Sequence, residues 1–146
     1  MYPSAGARYP LEIYPFIFSV QGLKRAIYHY HVKTHSLELI YDGIFQRATL
    51  KNFSQSWIRK AAFLLVITAI FDRMEEKYKE RGYRHIYTEY GHLAQNFYLV
   101  SSSLDLGCCS IGGFIDDGLN ELLDLDGVDE STVGVTAFGN IRSKRE

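Results

Sequence analysis

The chain has 146 residues, of which 47% are hydrophobic and 14% aromatic, and its formal net charge is -1. Such a length and apolar content predict one folded domain with a real core and exclude disorder. The charge balance excludes a global electrostatic case for nucleic acid, and no apolar run reaches the roughly eighteen residues a membrane span needs.

Residues 3–10, PSAGARYP, read as a loop, because two prolines bracket a serine and a glycine. Residues 11–20 are rich in Ile, Phe and Tyr and predict a strand buried on both faces or nearly so. Gln21-Gly22 turns the chain into a half-exposed strand over 25–32, and a second turn leads into 37–41, so an antiparallel meander is expected. His29 and His31 fall on one face of the second strand. That placement suits either two metal ligands or an ordinary half-exposed polar face, and with no third ligand nearby no metal is assigned.

Residues 42–53 are weakly helical, and Ser54 is placed to cap a short helix through Trp57 and Ile58. The longest apolar run, 61–71, predicts a second buried strand. The charged segment 72–81 predicts a helix that continues, or kinks at Gly82, into a long central one. There Ile86, Tyr90, Leu93, Ala94, Phe97, Ser101 and Leu104 recur at three- and four-residue steps, and Tyr87 and Val100 broaden the stripe. A largely buried central helix follows, with Gly107 as its stop. Its polar residues Glu89, His92, Gln95 and Asn96 are expected to satisfy buried backbone or subunit contacts.

Residues 108–113 predict a short buried strand ending in Gly112 and Gly113. Paired glycines there suit either a cofactor edge, where a ligand meets bare amides, or tight strand packing. Asp116 is placed to cap a helix over 118–123, Asp126-Gly127 marks a turn, and 132–138 is a last strand before a basic tail, 141–146. This mixture predicts an α+β domain, a mainly antiparallel sheet packed with helices around the central one. The adjacent Cys108 and Cys109 read as small, buried, reduced residues, and no signal-peptide pattern precedes the loop, so a cytoplasmic protein is expected.

Three stretches, PSAGARYPLE, KYKERGYRHIYTEYGHLAQN and LGCCSIGGF, together resemble the SagB-type dehydrogenases, a branch of the FMN-dependent nitroreductase superfamily. The resemblance runs from about Tyr2 to Gly139 and implies a single nitroreductase-like α+β sandwich over 1–146. It also implies a homodimer with FMN at the subunit interface, and oxidation of azoline rings to azoles in a modified peptide whose azolines a partner cyclodehydratase makes. Matched motif by motif, Pro3, Ser4, Ala5 and Gly6 would lie against the flavin. Ile111, Gly112 and Gly113 would offer backbone amides near its reactive edge, and Arg142 would reach its phosphate. Lys77 and Tyr78 occupy the place of the family's catalytic pair. A lysine acts as a base when desolvation or a neighbouring cation lowers its pKa, and a tyrosine hydroxyl can hold a proton beside it.

From charge pattern alone, Lys77 belongs to a solvated helix face with Glu75, Glu76, Lys79, Glu80 and Arg81. Two departures from the family pattern stand out. The chain starts at Met1, almost on the loop, so an N-terminally truncated domain is expected, without the family's arginine-bearing segment that grips the FMN phosphate. Each lost charge-assisted hydrogen bond costs about 1.5–3 kcal/mol, and losing two weakens binding by roughly two to four powers of ten. Arg8 stands where the family has a small or apolar residue, and it either replaces part of that charge or obstructs the pocket. Two other functions are compatible with these residues: a flavin-free remnant that serves as a dimerisation or scaffold subunit, and an NAD(P)H-dependent nitro or quinone reductase.

Overall fold

The computed structural model describes residues 2–141, so Arg142 and the rest of the basic tail lie outside the described residues. Six strands form one sheet: β1 (Leu11–Ile17), β2 (Ala26–His31), β3 (Ser36–Tyr41), β4 (Phe63–Ile70), β5 (Leu106–Ile111) and β6 (Glu130–Asn140). Their order is β3-β2-β1-β4-β6-β5, and every neighbouring pair is antiparallel. Four helices accompany it: α1 (Gln46–Leu50), α2 (Asp72–Tyr78), α3 (Gly82–Ser103) and α4 (Asp116–Leu123). The α+β architecture and the meander of the first three strands agree with expectation.

Strand alternation divides the core into two layers. On β4, Leu64 and Val66 face a layer with Phe16, Ile58, Leu119 and Val135, while Ile67 and Ala69 face one with Met74, Ile86 and Leu93 of α2 and α3. The β4–β6 register slips between Ile67 and Thr68, which pair with Gly134 and Thr132. Val133 is therefore the extra residue of a bulge, and its side chain joins the α3 layer. Opposite Ile67, Gly134 leaves the room that the ring of Tyr90 occupies, for a Cβ there would overlap that ring.

Two polar anchors hold α4 and the turn before β6. Buried Asn120 accepts the Thr132 backbone N–H and hydroxyl through Oδ1, each at 2.9 Å. Asp126 Oδ1 accepts the backbone N–H groups of Val128, Asp129 and Glu130, which holds its carboxyl below the usual carboxylate range.

Several local expectations need correction. The break between α2 and α3 falls at Lys79 (φ 53, ψ -141), and Gly82 is regular helix. Its missing side chain instead lets α3 start against α2, since a Cβ there would stand 3.1 Å from that of Met74. The left-handed residue after α3 is Asp105, not Gly107, which already belongs to β5. Ser54 caps nothing: Gln55 enters a 3-10 turn over Ser56–Lys60 through backbone bonds alone. Helix α4 likewise begins at Asp116, after an Ile115 N-cap, so Asp116 and Asp117 meet the positive helix end from inside the first turn.

Helix α3 is also less covered than its stripe implies. Ile86, Leu93, Ala94 and Ser101 are buried, but Tyr87 and Val100 are each 57% exposed and Leu104 is 61% exposed. Strand β5 is an edge strand, so Cys108 is only half-buried and Cys109 is exposed, both as free thiols. Burial pushes the Cys108 thiol up. No helix among the described residues is long and apolar enough to cross a membrane.

The second-strand histidines part company. Imidazole His29 lies between Glu12 (2.9 Å from Nε2) and Glu38 (3.2 Å from Nδ1), whereas His31 bonds Thr34, and no cluster among the described residues could hold a metal. Burial by itself lowers the His29 pKa, but the hydrogen bonds and charges of the two carboxylates outweigh it and raise it above the ordinary value. A raised folded-state pKa stabilises fully below the unfolded value of about 6.5, and that stabilisation fades as pH rises through the folded value. His29→Gln is therefore expected to flatten the decline in melting temperature between about pH 6 and pH 8; an identical decline in both proteins would contradict the assignment. For the Tyr90 contact, Gly134→Val is expected to cost about 1–3 kcal/mol of unfolding free energy by denaturant titration, from overpacking alone. A stability equal to that of the parent protein would show that the ring yields freely.

Candidate functional site

The opening loop does not run free before β1. Ser4 Oγ donates to Glu89 Oε1 of α3 at 2.8 Å, and the Ala5 backbone N–H donates to the same oxygen at 2.9 Å. Ser4 Oγ in turn accepts the Tyr9 N–H at 2.8 Å. Glu89 is 2% exposed, and its second oxygen, Oε2, is buried with no hydrogen-bond partner. An unmatched buried acceptor ordinarily costs about 1–3 kcal/mol, so its presence asks for a reason. Half-buried Tyr2 lies close enough that burial first, and the Glu89 and Glu12 carboxylates second, push its hydroxyl up to about 12.

Helix α2 delivers the other half of this corner. Gly6 has φ 60, and a Cβ added there would stand 2.7 Å from the Tyr78 hydroxyl oxygen and 2.8 Å from Lys77 Nζ. Glycine is therefore needed twice, for the left-handed backbone and for the close approach of both side chains. The Lys77 ammonium sits 5.3 Å from the Tyr78 ring centroid, and that ring packs on His85 at 4.6 Å. Lys77 is thus both things its sequence context offered. It is exposed along α2 as part of a charged face, yet its amine turns onto the loop. Arg8 pairs with Glu76 at 2.7 Å, next to Lys77, so its guanidinium is already engaged with a carboxylate.

The second expected place lies apart from the first within one chain. Ile111 closes β5 and is buried, whereas Gly112 and Gly113 are exposed beyond it. A Cβ on Gly112 would meet nothing, and one on Gly113 would stand 3.1 Å from Gln55 Nε2. The chain then packs through Phe114 into the layer opposite α3, and a cavity of about 350 Å³ lies there between Ser54, Gly113 and Ile115. Ala5 and Tyr78, by contrast, pack on the α3 layer. A larger cavity of about 610 Å³, near Arg25, Arg47 and Arg59, includes none of these residues.

Gln55 carries no functional signal in the sequence, and Glu89 reads there only as one of four polar residues on the helix. Yet the two buried side-chain acceptors without a partner among the described residues are Glu89 Oε2 and Gln55 Oε1. One adjoins the serine-glycine bend and the other the double-glycine corner. The free Gln55 acceptor, beside the exposed Gly112 and Gly113, fits a ligand that brings a hydrogen-bond donor, as the ring N–H of a flavin would. The outlying signal for Glu89 was a carboxylate one turn from Ile86 and Leu93 on the buried stripe.

Comparison with known proteins bears on the family and the fold. The chain is 40% identical over 124 residues to the nitroreductase-named protein MJ1384 of Methanocaldococcus jannaschii, covering 84% of this chain and 63% of that one. It is 28% identical over 150 residues to the microcin B17-processing protein McbC of Escherichia coli, covering 99% of this chain and 55% of McbC. In structure it superimposes on a chain of the Escherichia coli microcin synthetase McbBCD complex, solved with truncated pro-MccB17 bound. The TM-score is 0.85 at 28% identity, over 97% of this chain and 56% of that one. The chain thus spans 55–63% of the length of these relatives. The family model for nitroreductases matches residues 1–140, and the chain belongs to the nitroreductase family.

Proposed function

We propose that this protein is an FMN-dependent oxidoreductase of the SagB type that oxidises azolines to azoles in a modified peptide. The observation that carries this reading is the convergence of Lys77 Nζ and the Tyr78 hydroxyl on Gly6, at the bend that also holds Ser4 and Ala5. Its likeness to McbC, and to a chain of a complex solved with a pro-microcin peptide bound, supports a peptide substrate and partner proteins, and we assign the azoline-making partner to the cyclodehydratase class.

In this reading Pro3, Ser4, Ala5 and Gly6 line one side of the flavin, and Ile111, Gly112 and Gly113 present amides on the other. Arg142 is assigned to the phosphate. When bound, FMN supplies the hydride-accepting chemistry. The chain's own residues orient the ring and manage a proton. Lys77, in its neutral amine form, is assigned the proton that leaves the azoline carbon, and the Tyr78 ring, whose centroid lies 5.3 Å from Nζ, holds that side chain at the bend.

The two glycine-bearing places pack on opposite sheet faces within one copy, which favours a homodimer in which each copy completes the other's site. The apolar side chains that α3 leaves uncovered, Tyr87, Leu99 and Val100 among them at 57% exposure or more, support that pairing. We assign the protein to the cytoplasm, in keeping with its free cysteines. The relative MJ1384 carries a nitroreductase name, which favours NAD(P)H-dependent reduction of nitro compounds or quinones as the second reading.

The test is a titration with FMN followed by turnover of an azoline peptide. Bound yellow flavin is expected, with azole formation reduced about 10²–10⁴-fold by Lys77→Ala and by Tyr78→Phe while FMN affinity stays within about threefold. Turnover of a quinone with NADPH, untouched azoline and intact rates in both variants would favour the second reading. Protein that stays colourless with excess FMN would contradict both.

A further inference from the structure

The loop is strained. Ala7 and Tyr9 join Gly6 in having positive φ, at 54, 46 and 60 respectively. Side chains other than glycine's disfavour that backbone, so it persists only where neighbours over-determine it. Three side chains do so here. Arg73 Nη1 donates to the Tyr9 carbonyl at 3.0 Å, and Glu76 pairs with Arg8, both at exposed positions. Glu89 acts from inside. Its Oε1 takes the Ser4 hydroxyl and the Ala5 amide directly, and the Ser4 oxygen takes the Tyr9 amide. One buried oxygen therefore ties the start of the strained segment to its end.

We propose that Glu89 is the positioning residue of this site. By clamping residues 4–9 it sets where the Ser4–Gly6 backbone stands, and through that how well the flavin is held. The consequence for flavin rests on the FMN reading above; the clamp does not. Glu89 touches neither reacting atom, so its effect passes through the loop. Glutamine keeps an amide oxygen where Oε1 stands and should preserve the clamp. Leucine keeps the bulk and removes the acceptor.

The experiment compares the full chain with Glu89→Gln, Glu89→Leu and Ser4→Ala. It reads amide hydrogen exchange of Ala5 and Tyr9 without flavin, FMN affinity by fluorescence quenching, and melting temperature as a control on folding. In the parent protein both amides should be protected at least about tenfold over an open chain. Glu89→Gln should retain that protection and bind FMN within about threefold of the parent. Glu89→Leu should lose both protections and bind FMN at least about tenfold more weakly. Ser4→Ala should open Tyr9 while Ala5 stays protected, and it carries the test if the leucine variant does not fold. Parent amides that exchange freely, or Glu89→Leu with parental protection and affinity, would overturn the proposal; so would a folded Ser4→Ala with Tyr9 still protected. If the parent protein binds no FMN, the cofactor reading fails, and the exchange data alone decide the clamp.

Discussion

A carboxylate buried in the middle of the longest helix grips the first residues of the chain, and most of the candidate site depends on that grip. Glu89 lies on the face of α3 that packs against the sheet, between the apolar positions Ile86 and Leu93. Its oxygen receives a hydroxyl and an amide from the loop at 2.8 and 2.9 Å. Hydrogen bonds to a charged acceptor are among the stronger ones, and at low local dielectric they fix geometry as well as energy. The loop they fix is the one whose Gly6 receives Lys77 and Tyr78 from α2. A helix interior, a helix end and a terminal loop are thereby brought to one corner.

The sheet decides why the remaining part lies elsewhere. Strand β5 is the outer edge beside β6, and the chain leaving it passes through Gly112 and Gly113 to the face that carries α4. The loop and α2 sit on the other face. A ligand that used both places would be reached from two copies more naturally than from one. The apolar side chains that α3 leaves uncovered supply a surface for such pairing. The unpartnered acceptors Glu89 Oε2 and Gln55 Oε1 fall one at each place.

The strands and the long helix were legible because their signals are local. Alternation over β2, the apolar run at β4 and the three- and four-residue steps from Ile86 need no knowledge of partners. Features that depend on neighbours were not. Tyr87 and Val100 fit the helical stripe by spacing, yet a single copy offers nothing to cover them. Gly107 reads as a helix stop, but Asp105 takes the left-handed turn, because Gly107 is drawn into pairing with Gly139 on β6. The bulge at Val133 has no local signature, since only register against β4 creates it. In the site, Lys77 could be singled out from its charged neighbours only through family resemblance. Its convergence with Gly6, some seventy residues earlier, is a product of the fold.

The flavin site we propose lies between the serine-glycine bend and the double-glycine corner. A crystal structure of the protein grown with FMN tests this most directly, through the position of the isoalloxazine ring. The ring is expected to pack against Ser4–Gly6 of one copy and beside the Gly112 and Gly113 amides of its partner. An FMN bound elsewhere, or an assembly that keeps those two places apart with side chains filling the space between, would contradict it.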